Sequence, residues 1–165
     1  EEEKTDVDLE KDPAIGNTYQ YLCSFGKDDV IEHEAVTFLD AGSFTGTDTQ
    51  LQCVEKDLNA FVLPEFPDHW MHEAGTAPES FKMTISCKDL LLVYKDSGDP
   101  AFGCVDVWVD GQQTRSINPL EVGWNHCNAV IVYQGDACAE HEVELRLNPA
   151  DGSKHFTVLG FGYTQ

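Results

Sequence analysis

Residues 90–111 read LLLVYKDSGDPAFGCVDVWVDG. An apolar run ends in a loop of Gly, Pro and Asp, and a second run over 104–110 then alternates. Val105, Val107 and Val109 point one way, and Asp106, Trp108 and Asp110 the other. Period two with β-branched residues on one face marks a strand with one buried side, and Asp110-Gly111 is a hairpin-type turn.

The same grammar continues toward the C-terminus. Residues 112–117 suit a short returning strand, and 118–125, with Pro119, Gly123 and Trp124, form a loop. The run CNAVIVYQ at 127–134 reads as a buried strand, 135–140 as a turn, and HEVELRL at 141–147 as an alternating strand. After Asp151-Gly152, residues 155–164 close the chain as a final strand with two glycines. Toward the N-terminus, 81–86 and 90–95 are separate strands.

The earlier region carries weaker signals. Residues 17–25 fit a first strand placed close to the last one. Residues 27–34 suit a loop or short helix, and 35–39, 51–54 and 60–63 short strands. Residues 64–78, PEFPDHWMHEAGTAP, read as a long loop, the kind that carries function or covers a core. Strands spaced roughly 8–12 residues apart, with no long helical pattern, predict an all-β fold, an antiparallel β-sandwich of the jelly-roll type.

The chain has 165 residues, which suits one domain. Residues 1–14 are expected to be an acidic disordered linker: residues 1–13 hold seven acids and two lysines. Residues 15–165 are expected to be the folded domain. The chain starts without Met and reads as a mature or excised segment. The formal net charge of −20 argues against nucleic-acid and anionic-membrane partners, but it does not repel neutral sugars. No apolar run reaches the roughly 18 residues of a spanning helix.

Chemical motifs are sparse. There is no G-x-S-x-G elbow, P-loop or dinucleotide fingerprint. Six cysteines occur without a C-x-x-C pair, so both three disulfides and buried thiols remain open. His69 and His72, three apart in a Pro-flanked loop, are a weak zinc signal. No cofactor is expected. A structural calcium on Asp96, Asp99, Asp136 or Asp151 stands beside the plainer reading of solvated turn acids.

The remaining feature is a set of loop aromatics with polar neighbours. An aromatic face packs on the C–H face of a sugar ring, while amide, imidazole and carboxylate groups fix its hydroxyls. Trp70, Tyr94 and Trp124 are the aromatics, with His69, Asn125 and His126 beside them. Trp70 and Trp124 could equally plug the ends of the sandwich. Trp108, opposite the valine face, is left outside the site.

Residues 81–164 resemble the accessory β-sandwich attached to SGNH/GDSL-type carbohydrate esterases of gut and rumen Firmicutes, Ruminococcus-like degraders of plant cell walls. The resemblance rests on the block at 90–111, on GWNHCNAVIVY at 123–133 and on AEHEVELRLNPADGSKHFTVLGFGYT at 139–164. It covers about half of the chain. It implies an extracellular jelly-roll module that holds a plant polysaccharide, hemicellulose or pectin, for an attached catalytic domain. It places Tyr94, Asp99, Trp124 and Asn125 near ligand, whereas Trp70 and His69 come from the loop argument alone. The G-D-S and Asp-x-x-His blocks of the catalytic domain are absent. The family's Gly-Trp-Gly-Asn is Gly123-Trp124-Asn125-His126 here, which removes the second glycine. The alternative is a structural domain that docks on an esterase or cell-surface scaffold without glycan affinity.

Overall fold

The computed structural model describes residues 22–51 and 66–165. The expected linker at 1–14, most of the first strand, and the strands at 51–54 and 60–63 fall largely or wholly outside these residues. Eight strands are present among those described: β1 (Cys23–Phe25), β2 (Val36–Asp40), β3 (Trp70–His72), β4 (Phe81–Asp96), β5 (Val105–Val109), β6 (Gln112–Ile117), β7 (His126–Leu147) and β8 (Phe156–Thr164). The helical content of the described residues is two 3₁₀ turns, Val30–Glu32 and Pro149–Asp151. No helix among the described residues is long and apolar enough to cross a membrane.

All strand pairs are antiparallel, in the order β1-β8-β4-β7-β5-β6, with β2 added to β4 and β3 to β8. The two long strands fold this sheet onto itself. The first half of β4 lies between β2 and the second half of β7, and its second half lies between β8 and the first half of β7. Phe81 of the first layer then packs 5.7 Å from Phe161 of β8 and 5.4 Å from Trp70 of β3, neither of which is its partner in the sheet. The result is an antiparallel β-sandwich of the jelly-roll type, as the strand spacing predicts.

The crossing point is a bulge. On β4 the register steps from Cys87 to Asp89 while β7 steps from Ala139 to Gln134, so residues 135–138 loop out opposite Lys88. A bulge reverses which face a strand buries. Phe81, Met83, Ile85 and Cys87 face the core before it, and Leu90, Leu92 and Tyr94 after it. This is why the expected separate strands at 81–86 and 90–95 are one strand. It also corrects the expected turn at 135–140, which is the outward bend of an unbroken β7.

The β5–β6 hairpin follows its sequence. Asp110 and Gly111 have φ of 51° and 76°, the left-handed pair a two-residue type I′ turn requires. Asp110 also ties the turn to β7: its Oδ1 accepts the Glu142 N–H at 2.9 Å, and its Oδ2 lies 2.7 Å from His141 Nδ1. β1 pairs with β8, so the first described strand does sit beside the last.

Within the supposed loop at 64–78, Trp70–His72 is a strand, paired with the start of β8 and buried at all three positions. A strand covered on both faces shows no alternation, and the flanking prolines and glycine hide it.

Candidate loop-end site

At one end of the sandwich, β4 ends, β7 begins opposite it, and β3 ends beside the start of β8. Segments 45–51, 97–103 and 118–125 gather there. The segment at 118–125 is pinned from several sides. The Ser97 N–H donates to Pro119 O at 2.6 Å, and the Val122 N–H donates to Asp96 Oδ1 at 3.2 Å. Asn125 accepts from the Ser97 hydroxyl at 3.2 Å and donates from Nδ2 to Gln50 O at 3.0 Å. Gly123, at φ 80°, makes the turn that presents Trp124.

Trp124 is 44% exposed, and its ring centroid lies 4.9 Å from that of His126 at 35°. Val122 beside it is also exposed. An exposed indole on a loop this well tied offers a fixed platform, so a ligand need not pay to order it.

Asn125 connects this platform, through Gln50, to a pocket of about 190 Å³ lined by Asp48, Gln50, Glu73, Asp99, Phe102 and His155. Asp99 forms the turn at its rim: its Oδ1 accepts from the Ala101 N–H at 2.9 Å. The Ala74 N–H donates to His155 Nδ1 at 3.0 Å, so the ring's proton sits on Nε2.

Beneath lies a buried charge network. Lys95 Nζ donates to Asp48 Oδ1 at 3.1 Å and Oδ2 at 2.9 Å, and the Thr157 hydroxyl adds a bond to Oδ2 at 2.7 Å. The same ammonium sits 4.7 Å from the centre of the Phe102 ring. Burial alone would raise the Asp48 pKa. The hydrogen bonds from Lys95, the Gln50 N–H and Thr157, together with the Lys95 charge, outweigh it and hold the carboxyl below its ordinary value. Asp96 is also buried, and its Oδ2 has no hydrogen-bond partner.

The expected site residues divide into two groups. Trp124, Asn125, His126 and Asp99 fall at this end, in or beside the pinned loops. Tyr94 does not reach the surface: it is buried and stacked on Phe156 at 5.9 Å, and its hydroxyl accepts from Asn128 Nδ2 at 3.1 Å. Burial and the charges of Asp96 and Glu121 push its phenol up to about 12. Trp70 is 2% exposed, between Phe81 and Phe161, and has no ring face left for a sugar. His69 is buried as a latch. Its Nε2 accepts from the Asp48 N–H at 2.7 Å, and its Nδ1–H donates to Phe66 O at 3.0 Å. Gln50, Phe102 and His155 belong to the pocket without being expected, because only the fold brings 50, 102 and 155 together.

The metal expectations find no cluster. Among the described residues no three His, Cys, Asp or Glu side chains converge as ligands. Asp151 caps Cys104 with a 2.7 Å bond from its N–H, and Asp136 lies on the bend of β7. His72 is wholly buried between two hydroxyls, Ser43 Oγ at 2.8 Å and Ser153 Oγ at 3.1 Å.

No family model matches the chain, and no curated protein sequence does. Solved structures share the fold. A two-domain esterase active on acetylated mannans matches with a TM-score of 0.60 at 16% identity, over 99% of this chain and 41% of that one. A family two carbohydrate esterase from Cellvibrio japonicus gives 0.53 at 12% identity, over 87% of this chain and 33% of that one. An acetyl xylan esterase from the rumen bacterium Butyrivibrio proteoclasticus gives 0.52 at 11% identity, over 86% and 32%. The chain therefore spans about a third to two fifths of the esterases it matches.

Proposed function

We propose that this chain is a non-catalytic carbohydrate-binding module, extracellular, that holds a plant cell-wall polysaccharide of the hemicellulose or pectin class for an attached esterase domain. The observation that carries the reading is Trp124: a large apolar ring, 44% exposed, on a loop tied by four hydrogen bonds beside a polar pocket. Sugar C–H faces stack on such a ring, and Asp99, Asn125 and the His155 ring supply groups for hydroxyls. The fold it shares with parts of carbohydrate esterases is consistent with an accessory role.

The non-catalytic reading is supported by both Ser–His contacts that have a nucleophile's spacing among the described residues. Ser153 Oγ, 3.1 Å from His72 Nε2, already accepts from the Gly75 N–H and donates to Thr76 O. Ser43 Oγ lies 2.8 Å from His72 Nδ1, but the hydroxyl already bonds both the N–H and the carbonyl of Glu79, and His72 is wholly buried. No substrate carbonyl reaches it.

Affinity gel electrophoresis against xylan, glucomannan, galactomannan, xyloglucan, β-glucan and pectins tests the proposal. Retardation on one or two polymers is expected, and its absence on all of them overturns the reading. In that case Val122 and Trp124, exposed side by side, favour the alternative of a face that docks on a neighbouring domain.

A further inference from the structure

The larger concavity lies elsewhere, on the outer face of the layer formed by β2, β4, β7 and β5. It encloses about 470 Å³ and is lined by Phe38, Lys82, Thr84, Trp108, Glu144 and Arg146, among others. The register builds it. Phe38 pairs with Thr84 and Thr84 with Glu142, while Lys82 pairs with Glu144 and Glu144 with Trp108, so these side chains form two adjacent rows on one face of four strands. We infer that this groove is a second saccharide site, which takes an extended, uncharged oligosaccharide segment. The inference rests on the carbohydrate-binding reading and adds to it a place for the chain itself.

Three observations point to that occupant. The first is size. The loop-end pocket, at about 190 Å³, falls below the range of about 300–1,000 Å³ typical of small-molecule sites, whereas the groove lies within it. The pocket suits one ring or a chain end, and the groove suits several rings. The second is charge. In a chain of net charge −20, the groove's Lys82 and Arg146 are matched by Glu142 and Glu144, and Arg146 bonds Glu144 directly. A locally neutral surface with both donors and acceptors matches hydroxyls and selects against ionic ligands.

The third is the aromatic pair. Phe38 is a strand residue with half of its surface exposed, and Trp108 is held by the Arg146 guanidinium 4.3 Å from its ring centre. The Trp108 Nε1–H is buried without a hydrogen-bond partner, which leaves a donor unsatisfied beneath the groove. Phe38 and Trp108 thus border one concavity among charged side chains, two ring surfaces with polar groups between them.

The test is a two-dimensional amide and indole NMR titration of the full chain with mannopentaose, xylopentaose and cellopentaose. At least one probe is expected to shift Phe38, Lys82, Thr84 and the Trp108 indole as one set, distinct from the set around Trp124. Phe38→Ala, at an exposed position, should weaken that set's binding about tenfold and leave the Trp124 set unchanged. Shifts confined to the Trp124 region overturn the second site and leave the module reading intact. Shifts at neither region overturn both. Shifts at the groove alone support it while removing the loop-end site. If Phe38→Ala leaves the groove's affinity unchanged, the aromatic pair is not the contact and the inference fails. If no probe binds there and the groove's signals shift instead on addition of an esterase domain, it is a protein interface and the inference also fails.

Discussion

Gly98 lies directly against the carbonyl of Gly123: a Cβ at residue 98 would stand 2.5 Å from that oxygen. The clash is with backbone, so it can be relieved only by moving one loop away from the other. Gly98→Ala should therefore separate 97–103 from 118–125 and shift Trp124 relative to Asp99 and the pocket. Overpacking of this kind costs typically about 1–3 kcal/mol. The expected outcome is a modest fall in melting temperature with a much larger loss of polysaccharide retardation. Unchanged retardation would show that the apposition of these loops does not govern binding.

Trp70 and Trp124 give opposite predictions from one residue type. Trp124→Ala removes a ring that is nearly half exposed, so stability should move by about 1 kcal/mol or less while glycan binding falls at least tenfold. Trp70→Ala empties the space between Phe81 and Phe161 and should cost about 3–5 kcal/mol. Thermal melts with gel retardation separate the two. A collapse of stability in the Trp124 variant would make that ring a plug.

What could be read from the sequence follows from how local each signal is. The alternation at 105–109 and the Asp110-Gly111 pair carry their structure within seven residues, and both stand as read. The fusion of 126–147 into one strand does not. Gly135 and the polar residues around it look like a turn, and only pairing with β4 shows a bulge. The loop that carries Trp124 is legible because Gly123 and Pro119 mark it. The burial of Trp70 and Tyr94 is not, because an aromatic beside prolines, or at a strand's end, says nothing about depth. Asp48 and Lys95 are 47 positions apart, and the two rows Phe38–Thr84–Glu142 and Lys82–Glu144–Trp108 need four strands in register. Neither pattern has a local signature.

Cys87 offers a probe of the crossing point between the layers. Burial pushes its thiol up to about 12, and the neighbouring Cys138, Asp89 and Asp110 add to the rise. The thiolate is the reactive form, so at pH 8 Cys87 should resist iodoacetamide in the native protein, while exposed Cys138 is alkylated. Peptide mass spectrometry across a urea series should show Cys87 labelling that follows global unfolding. Labelling of Cys87 well before the main transition would mean that the bulge opens locally and that the two layers are not one cooperative unit.

The Lys95–Asp48 pair predicts how stability depends on pH. Asp48 titrates below the ordinary aspartate value in the folded chain, so in acid the unfolded chain takes up its proton first. The pair's contribution is fully present above the unfolded value of about 4 and is lost as pH falls through the lower folded value. Melting temperature should accordingly decline below about pH 4. Asp110, Glu144 and Asp151 are shifted the same way and add to that decline. Asp48→Asn should lower stability at neutral pH by about 3–5 kcal/mol, because it leaves the Lys95 ammonium buried without its counter-charge. The acid limb should at the same time become shallower, with the exposed carboxylates supplying what remains. The double variant Asp48→Leu with Lys95→Met should recover much of the neutral-pH loss, since a buried pair replaced by apolar groups is often neutral. An acid limb as steep in Asp48→Asn as in the parent would show that the pair does not govern the pH response.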